Sequence, residues 1–513
     1  MLARLAALGI GAGFSQTLLG APPRALAAPP IPSHAPYVVV VVMDAFRYDY
    51  QHLAHMPNLV WLMKRGVHYE KAWVGHLESY TPASHATIST GAKPAHSGVL
   101  GFDWRDPATG EETYTGWYRD VIQGKLEQQL TQHGVNSIPI AMKRQDPHAR
   151  VVALSSEKYY AADAMGGAAA DFILYGMHRG HDMTVHGLPH HVPPQSYLNQ
   201  PDLKRPWPLV YGQFDDLSMS MALDSLRPLD PRLLMINLPG PDIYGHRVGG
   251  PASPDVMKVL VAGCDVQLGR LFRAFENNGR LDQTIFVVTA DHGMVPNHYM
   301  VADQTIKRGV RESGGQYLFH TGGNCAYIFL KNPVAAPGVA QHLVDTIAPA
   351  PFAHVQSIQS GQYVYTPVPR TGTTIDPALE DAYQYLLGTF AGPLAPDIAL
   401  SFEENTITRT YTSAHGEHGA ATWGAQHVPL VIAGPGVKRA AHSKYPARLM
   451  DIAPTVLRLL GIEPTNMDGA VLADALINPT AADVQAQDLL AGPQHAHQRA
   501  IIKRSNEDIR SEG

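Results

Sequence analysis

The chain is poor in cysteine: its 513 residues include two, Cys264 and Cys325. Two thiols cannot build a Cys-rich zinc centre. They could pair with each other, but both sit in stretches that read as helix or strand interior, which points to buried free thiols. A basic stripe is also missing. There are 39 Lys and Arg against 45 Asp and Glu, mixed along the chain, for a net charge of −6. That balance argues against a nucleic-acid-binding surface. Beyond the N-terminus no run of 18 consecutive apolar residues occurs, so no further membrane span is expected. No internal repeat is found.

Apolar residues make up 45% of the chain, enough for a packed interior, and its length suits one large α/β domain with insertions. Residues 1–28 read as an export signal, with Arg4, a mostly apolar stretch at 5–19 and Ala25-Leu26-Ala27 as a cleavage site. Its Gly-rich core is similar to a twin-arginine signal, and the expected location is periplasmic or secreted. A lipid-anchored or uncleaved N-terminal helix is the alternative. Residues 29–36, PPIPSHAP, read as a linker.

The apolar runs at 38–43, 151–154, 233–238 and 285–290 predict strands buried on both faces, and 428–433 a later one. Helices are expected at 57–65, closed by Gly66, and from Pro254 to about 278, with Ser253 as cap and Gly279 as stop. Another is expected at 451–460, ended by Gly461. The alternation predicts an α/β fold: a large central, mostly parallel sheet flanked by helices on both faces. Residues 166–210 are rich in Gly, His and Pro without periodicity and read as a loop or lid. Residues 296–410 break the pattern and read as an inserted cap region with a helix near 377–388. The catalytic core is then 37–295 and 411–475. The polar, Ala/Gln-rich tail 476–513 is expected to be frayed or loosely helical.

Chemistry-bearing residues gather at the expected strand ends. Asp44 follows 38–43, Asp242 and His246 follow 233–238, and Asp291 and His292 follow 285–290, with a late His to complete the set. In open α/β sheets, sites form at the carboxyl ends of strands. Three Asp and three His could hold two divalent cations, zinc first by donor type. Thr81, before Pro82 at a helix entrance, reads either as a cap or as a nucleophile. A threonine hydroxyl is a poor nucleophile at neutral pH and ionises far more easily on a dication. A pair of ions about 3.5–4 Å apart would clamp an in-line phosphoryl displacement.

In order, the motifs VVVVVMDAFR, YTPASHATISTG, PDIYGH, TADHGM, HGAATWGAQHVPLVIAGPGV and DIAPTVLRLLGI run from about 37 to 475. With them the chain resembles the alkaline phosphatase superfamily, in its type I phosphodiesterase/nucleotide pyrophosphatase branch. The resemblance implies one metal held by Asp44, Thr81, Asp291 and His292, and a second held by Asp242, His246 and a late His. His418 matches the HG…HVPL pattern, with His415 as rival. Thr81 would be the nucleophile, with Ser84 as the alternative. Phe102 stands where the family often has an Asn that donates to a phosphoryl oxygen. Lys158 is either a substitute donor or a solvated lysine, and Phe102 would otherwise pack against an apolar leaving group. The sulfatase branch is disfavoured, because Thr81-Pro82-Ala83-Ser84-His85 supplies neither the modifiable Cys or Ser nor the Arg of its motif.

The resemblance therefore implies a two-metal phosphoric ester hydrolase acting on a small-molecule phosphate ester through a phosphothreonine. A diesterase is expected before an alkaline phosphomonoesterase. A phosphonate C–P hydrolase and a metal-retaining secreted binding protein are the other readings.

Overall fold

A computed structural model describes residues 36–106, 108–179, 182–206, 211–409 and 415–511. The export segment and almost all of the linker expected at 29–36 lie outside the described residues.

The unbroken valine run makes strand Tyr37–Met43, buried at every position after the first. β-branched side chains favour the extended backbone, and an all-apolar strand is stable only with both faces covered. It lies inside a ten-stranded sheet. Thr284–Thr289 pairs parallel on one side and Leu233–Leu238 parallel on the other, followed by Val151–Ser155 and Phe172–Arg179, also parallel. Antiparallel strands flank this centre: Leu430–Ala433 and Gly66–Tyr69 at one end, Asp182–Gly187 and Lys204–Pro206 at the other. Ala441–Ser443 closes the first edge in parallel pairing. The sheet is thus parallel at its centre, where four of the expected strands lie, and mixed at its margins, where the later expected strand Leu430–Ala433 pairs antiparallel.

A second sheet of five antiparallel strands arises from the inserted stretch, with Tyr317–Thr321, Cys325–Leu330, Ile398–Ser401, Phe352–Gln359 and Gln362–Val368 in that order. Helices Asp303–Glu312 and Ala336–Thr346 bury Ile306, Val310, Val339 and Leu343 with Ile328 and Leu400 in a separate apolar cluster.

Several local expectations are corrected. Residues 166–210, read as loop or lid, supply three strands of the main sheet. As an antiparallel edge they pair without the long apolar runs that mark central strands. Gly66 closes helix Pro57–Arg65 as expected, its N–H donating to the Met63 carbonyl, but not in a left-handed cap conformation. Its φ of −146° is extended, and it opens strand Gly66–Tyr69. A side chain there would strike the Ile432 carbonyl, so the requirement is close backbone approach. Ser253 stands at the N-cap of helix Pro254–Asn277 as expected, but its side chain does not cap it; the hydroxyl donates to the Val248 carbonyl at 2.6 Å instead.

The tail expected to be frayed is a continuous helix, Ala481–Ser511, packed on helix Pro377–Gly388. Its buried stripe is largely polar (Gln494, His497, Gln498, Ser505, with Ile501), so hydropathy conceals the periodicity. His497 stacks on Tyr385 at 4.7 Å, and Gln498 donates to the Lys71 carbonyl. Cys264 and Cys325 are free and buried.

Asp215, buried in helix Gln213–Ser225, ties that helix to the next segment: its Oδ1 accepts the Gly240 N–H at 2.7 Å, and the Cys264 thiol donates to Oδ2 at 3.6 Å. Gly240 begins the helix that carries Asp242 and His246. Burial pushes the Asp215 carboxyl up from 3.8 to about 7. The folded chain keeps a proton that the unfolded chain releases near pH 4, so stability falls as pH rises from about 4 to about 7, by at most about 1.4 kcal/mol per pH unit. Asp215→Asn keeps an acceptor for Gly240 and removes this contribution. Urea midpoints measured from pH 5 to 8 are expected to fall less steeply in the variant than in the wild type. Parallel slopes would contradict the assignment.

Candidate active site

Four neighbouring parallel strands each deliver a charged or metal-binding side chain at their carboxyl ends. Asp44 follows Tyr37–Met43, Asp291 and His292 follow Thr284–Thr289, Asp242 and His246 lie in helix Gly240–Val248 after Leu233–Leu238, and Lys158 follows Val151–Ser155. His418 comes from the loop before Leu430–Ala433. Asp44, Asp242, Asp291, His292, His418 and Lys158 are all buried, and His246 is partly exposed.

Thr81 opens helix Thr81–Thr90, in which all ten residues are buried. The cap position belongs to Tyr80, and no side chain caps this end, so the Thr81 hydroxyl is not used as a helix cap. Its Oγ1 lies 3.4 Å from His292 Nε2 and accepts from Lys158 Nζ at 3.3 Å. Small residues let this helix pack closely on helix Tyr159–Gly166. Gly91, at φ +64°, ends it in the left-handed conformation.

Lys158 is no solvated lysine. Its Nζ bridges Asp44 Oδ1 at 2.8 Å and Asp242 Oδ2 at 2.6 Å. Burial works against its charge, but Asp242 and Asp44 outweigh that and hold the amine well above its usual range. For Asp242, too, burial opposes ionisation, yet Lys158 and His246 hold the carboxyl well below its usual range. Burial, then Asp291, pushes Asp44 up to about 8 against the pull of Lys158.

The imidazoles share one arrangement. Each has Nδ1 against a backbone carbonyl: His246 on Gly416 at 2.9 Å, His292 on Gly293 at 2.9 Å, and His418 on Ser79 at 3.3 Å. The Nε2 atoms turn inward, His246 and His418 each 3.4 Å from Asp242 Oδ1 and His292 3.2 Å from Asp291 Oδ2. A proton fixed on Nδ1 leaves the Nε2 lone pair for a cation. Burial lowers His292, but Asp291, Asp44 and Asp242 outweigh it and push it up to about 9, so a proton and any other cation compete for the same position. Burial and the neighbouring His292 hold His418 well below its usual value.

Three groups of donor atoms fall within 4.8 Å of one another: Asp242 with His292 and His418, Asp44 with His85 and Asp291, and His246 with Glu417 and His418. Buried Asp242 Oδ1 and Asp291 Oδ2 have no hydrogen-bond partner among the described residues. The donor set therefore fits divalent cations.

The structure brings all the expected site residues to one place, and His415 lies apart. The latter is exposed, and its backbone N–H donates to the His246 carbonyl. Ser84 is buried within its helix and does not line the site cavity. Two participants, Asn237 and Glu417, escaped sequence reasoning, and a third, His85, was marked only by its spacing from Thr81. His85 Nδ1 contacts the Thr81 carbonyl at 2.8 Å and lies 3.5 Å from Asp291 Oδ2. Asn237 donates to Asp44 Oδ2 at 3.1 Å, and its place as the single polar residue in LLMINL was a usable signal. Glu417, beside His418, carried none.

A cavity of about 940 Å³ opens above Thr81, Lys158 and His418. Phe102 lines it, with Tyr80 and Tyr160 edge-on at 5.7 and 5.0 Å between ring centres. The inserted region contributes Asp303, Lys307, His320 and Thr321 to its lining. Among the described residues no helix is long and apolar enough to cross a membrane.

Comparison with known proteins agrees with this architecture. Murine ectonucleotide pyrophosphatase/phosphodiesterase 5, solved as an inactive variant in complex with AMP, superposes with a TM-score of 0.59 at 17% identity, covering 85% of this chain and 97% of that one. Wild-type alkaline phosphatase PafA gives a TM-score of 0.66 at 15% identity, covering 86% and 99%. These likenesses establish an alkaline phosphatase-like fold. In sequence, an uncharacterised pyrophosphatase/phosphodiesterase of Schizosaccharomyces pombe is 24% identical over 269 residues, 50% of this chain and 45% of the relative. Human ectonucleotide pyrophosphatase/phosphodiesterase family member 5 is 22% identical over 298 residues, 55% and 52% respectively. The chain spans about half the length of the curated relatives it matches. The type I phosphodiesterase/nucleotide pyrophosphatase family model matches residues 38–421, most of the chain, and the protein belongs to that family of phosphoric ester hydrolases.

Proposed function

We propose that the chain hydrolyses phosphoric diesters with Thr81 as nucleophile, through a phosphothreonine intermediate. One observation carries this reading: Thr81 Oγ1, Lys158 Nζ and three inward-facing imidazole Nε2 atoms converge among three buried carboxylates at one end of the sheet. Asp44, Asp291 and His292, with Thr81, would hold one divalent cation, and Asp242, His246 and His418 a second. Mixed imidazole and carboxylate donors suit zinc. Bound there, the ions would ease ionisation of the threonine hydroxyl and neutralise phosphoryl charge.

The chain's own groups supply the rest. Thr81 Oγ1 bonds to phosphorus as the bond to the leaving oxygen breaks. Water then cleaves the Thr81–phosphorus bond, which frees the second product and restores the hydroxyl. Lys158 Nζ, already at Thr81 Oγ1, offers a charged donor to a phosphoryl oxygen. The N-terminus of helix Thr81–Thr90 adds its partial positive charge at the same point. Phe102 donates nothing, which suits a diester carrying one ionised oxygen fewer than a monoester. A monoesterase reading draws on Lys158, whose charge would favour a dianionic phosphate.

Zinc-loaded protein is expected to cleave bis-p-nitrophenyl phosphate faster than p-nitrophenyl phosphate. Thr81→Ala should lose both activities by about 10³-fold or more, comparable to losing a covalent nucleophile. Acid quenching should trap phosphate on Thr81 in the wild type. Faster monoester cleavage would transfer the assignment to a phosphatase, and full activity in Thr81→Ala would remove the nucleophile.

Metal content separates the two late histidines. After dialysis against zinc, wild type and His415→Ala are expected to retain two equivalents and His418→Ala about one, read by elemental analysis. The reverse pattern would make His415 the ligand.

A further inference from the structure

Helix Pro254–Asn277 is packed on one side. It lies against helices Pro57–Arg65, Gln213–Ser225 and Gly240–Val248, and the residues it buries include Leu260, Val261, Cys264, Leu268 and Leu271. At 100° per residue these fall on one half of the helix. The other half carries a second apolar row. Val259 and Val266 are 54% and 55% exposed. Ala262 and Gly263 lie between them, both partly exposed, and a side chain built on Gly263 would meet no atom within 4 Å.

Charges bracket this row. Asp255 opens it and Arg273 ends it, both exposed. Among the described residues neither side chain has an ion-pair partner, whereas Arg270 and Arg280 nearby pair with Asp216 and Asp230 at 2.6 and 2.8 Å. Positions 255, 259, 262 and 266 are spaced by four, three and four residues, the interval of a two-helix seam, and 273 continues it seven residues on.

Single exposed valines are ordinary. This row differs because it is complementary to itself. In an antiparallel pair centred between Ala262 and Gly263, Val259 of one copy stands opposite Val266 of the other, and the small residues meet at the crossing, where backbones can approach closely. Each Asp255 then lies beside the Arg270–Arg273 end of the other helix. A parallel pair would set Asp255 against Asp255 and Arg273 against Arg273, so charge selects the antiparallel arrangement. Such a pair has a two-fold axis and closes on itself.

We infer that the outer face of helix Pro254–Asn277 is the contact surface for a second copy of this chain, joined antiparallel about Gly263. This does not depend on the hydrolase reading. The seam from Asp255 to Arg273 is about 27 Å long. One helix pair of that length belongs with small, reversible interfaces below about 1,200 Å², so the dimer forms and dissociates with concentration.

Sedimentation velocity of the whole chain, from about 1 to about 200 µM, covers the range of such weak contacts. The wild type is expected to shift from monomer to dimer across it. Val259→Lys should weaken association by about tenfold or more. Asp255→Arg and Arg273→Asp should each weaken it, and the double reversal should recover it, which a folding defect would not do. Gly263→Cys should give a disulfide-linked dimer with diamide, which takes up the two thiol hydrogens, because a disulfide requires Cα atoms within about 7 Å. Asn277→Cys, exposed at the far end of the same helix, should not, and the native thiols are buried. A monomer at every concentration overturns the inference. So does a dimer that Val259→Lys leaves intact, a double reversal that fails to recover, or equal cross-linking at positions 263 and 277.

Discussion

Everything at the catalytic end of this molecule answers to the burial of Asp44, Asp242 and Asp291 within a few ångströms of one another. An isolated buried carboxylate costs several kcal/mol in lost hydration, and three together repel. The structure meets that cost with specific partners. Lys158 spans Asp44 and Asp242, Asn237 donates to Asp44, the Ala45 and His292 N–H groups donate to Asp291, and three imidazoles face inward. Such partners hold position only on rigid supports, and the valine-rich central strands provide them. Their all-apolar faces fix the register, and the register fixes which residue stands at each strand end.

The division of labour follows from the same constraint. Central strands tolerate little variation because both faces are packed. Groups that contact the organic part of a substrate must therefore come from elsewhere. The rest of the cavity is lined from the hairpin after Gly101, from Tyr80 and Tyr160 beside Thr81 and Lys158, and from the inserted region with Asp303, Lys307 and His320. The inserted sheet has its own apolar cluster, so it shapes the cavity without drawing on the core beneath the carboxylates.

Legibility from sequence tracks this division. Strands such as Leu233–Leu238 are visible because burial on both faces demands a continuous apolar run, and Asp44 or Asp291 stands out as the first charge after one. The edge strands at 172–206 escape notice because pairing supplies their stability and their composition need not be apolar. Lys158 was ambiguous, since a lysine after a strand is commonly solvated, and only the fold shows that Asp44 and Asp242 flank it. Glu417 gave no local signal, because it meets His246 across a long sequence separation. The tail helix failed for a different reason: its buried stripe is made of glutamine, histidine and serine, and polar burial leaves no hydropathy period.

The placement of Thr81 joins reaction to recognition. Its hydroxyl points at His292 and Lys158, while the preceding Tyr80 ring lies against both His418 and Phe102, at 4.9 and 5.7 Å. A single turn of backbone thus holds the proposed nucleophile and one end of the aromatic wall. Any shift of the wall that moves Tyr80 also moves the start of helix Thr81–Thr90, whose residues are all buried and leave little room for independent adjustment. The organic group of a substrate and its phosphorus are then positioned by one rigid unit. Interactions remote from the reacting bond can in that case be realised as correct alignment in the transition state rather than as tight ground-state binding alone.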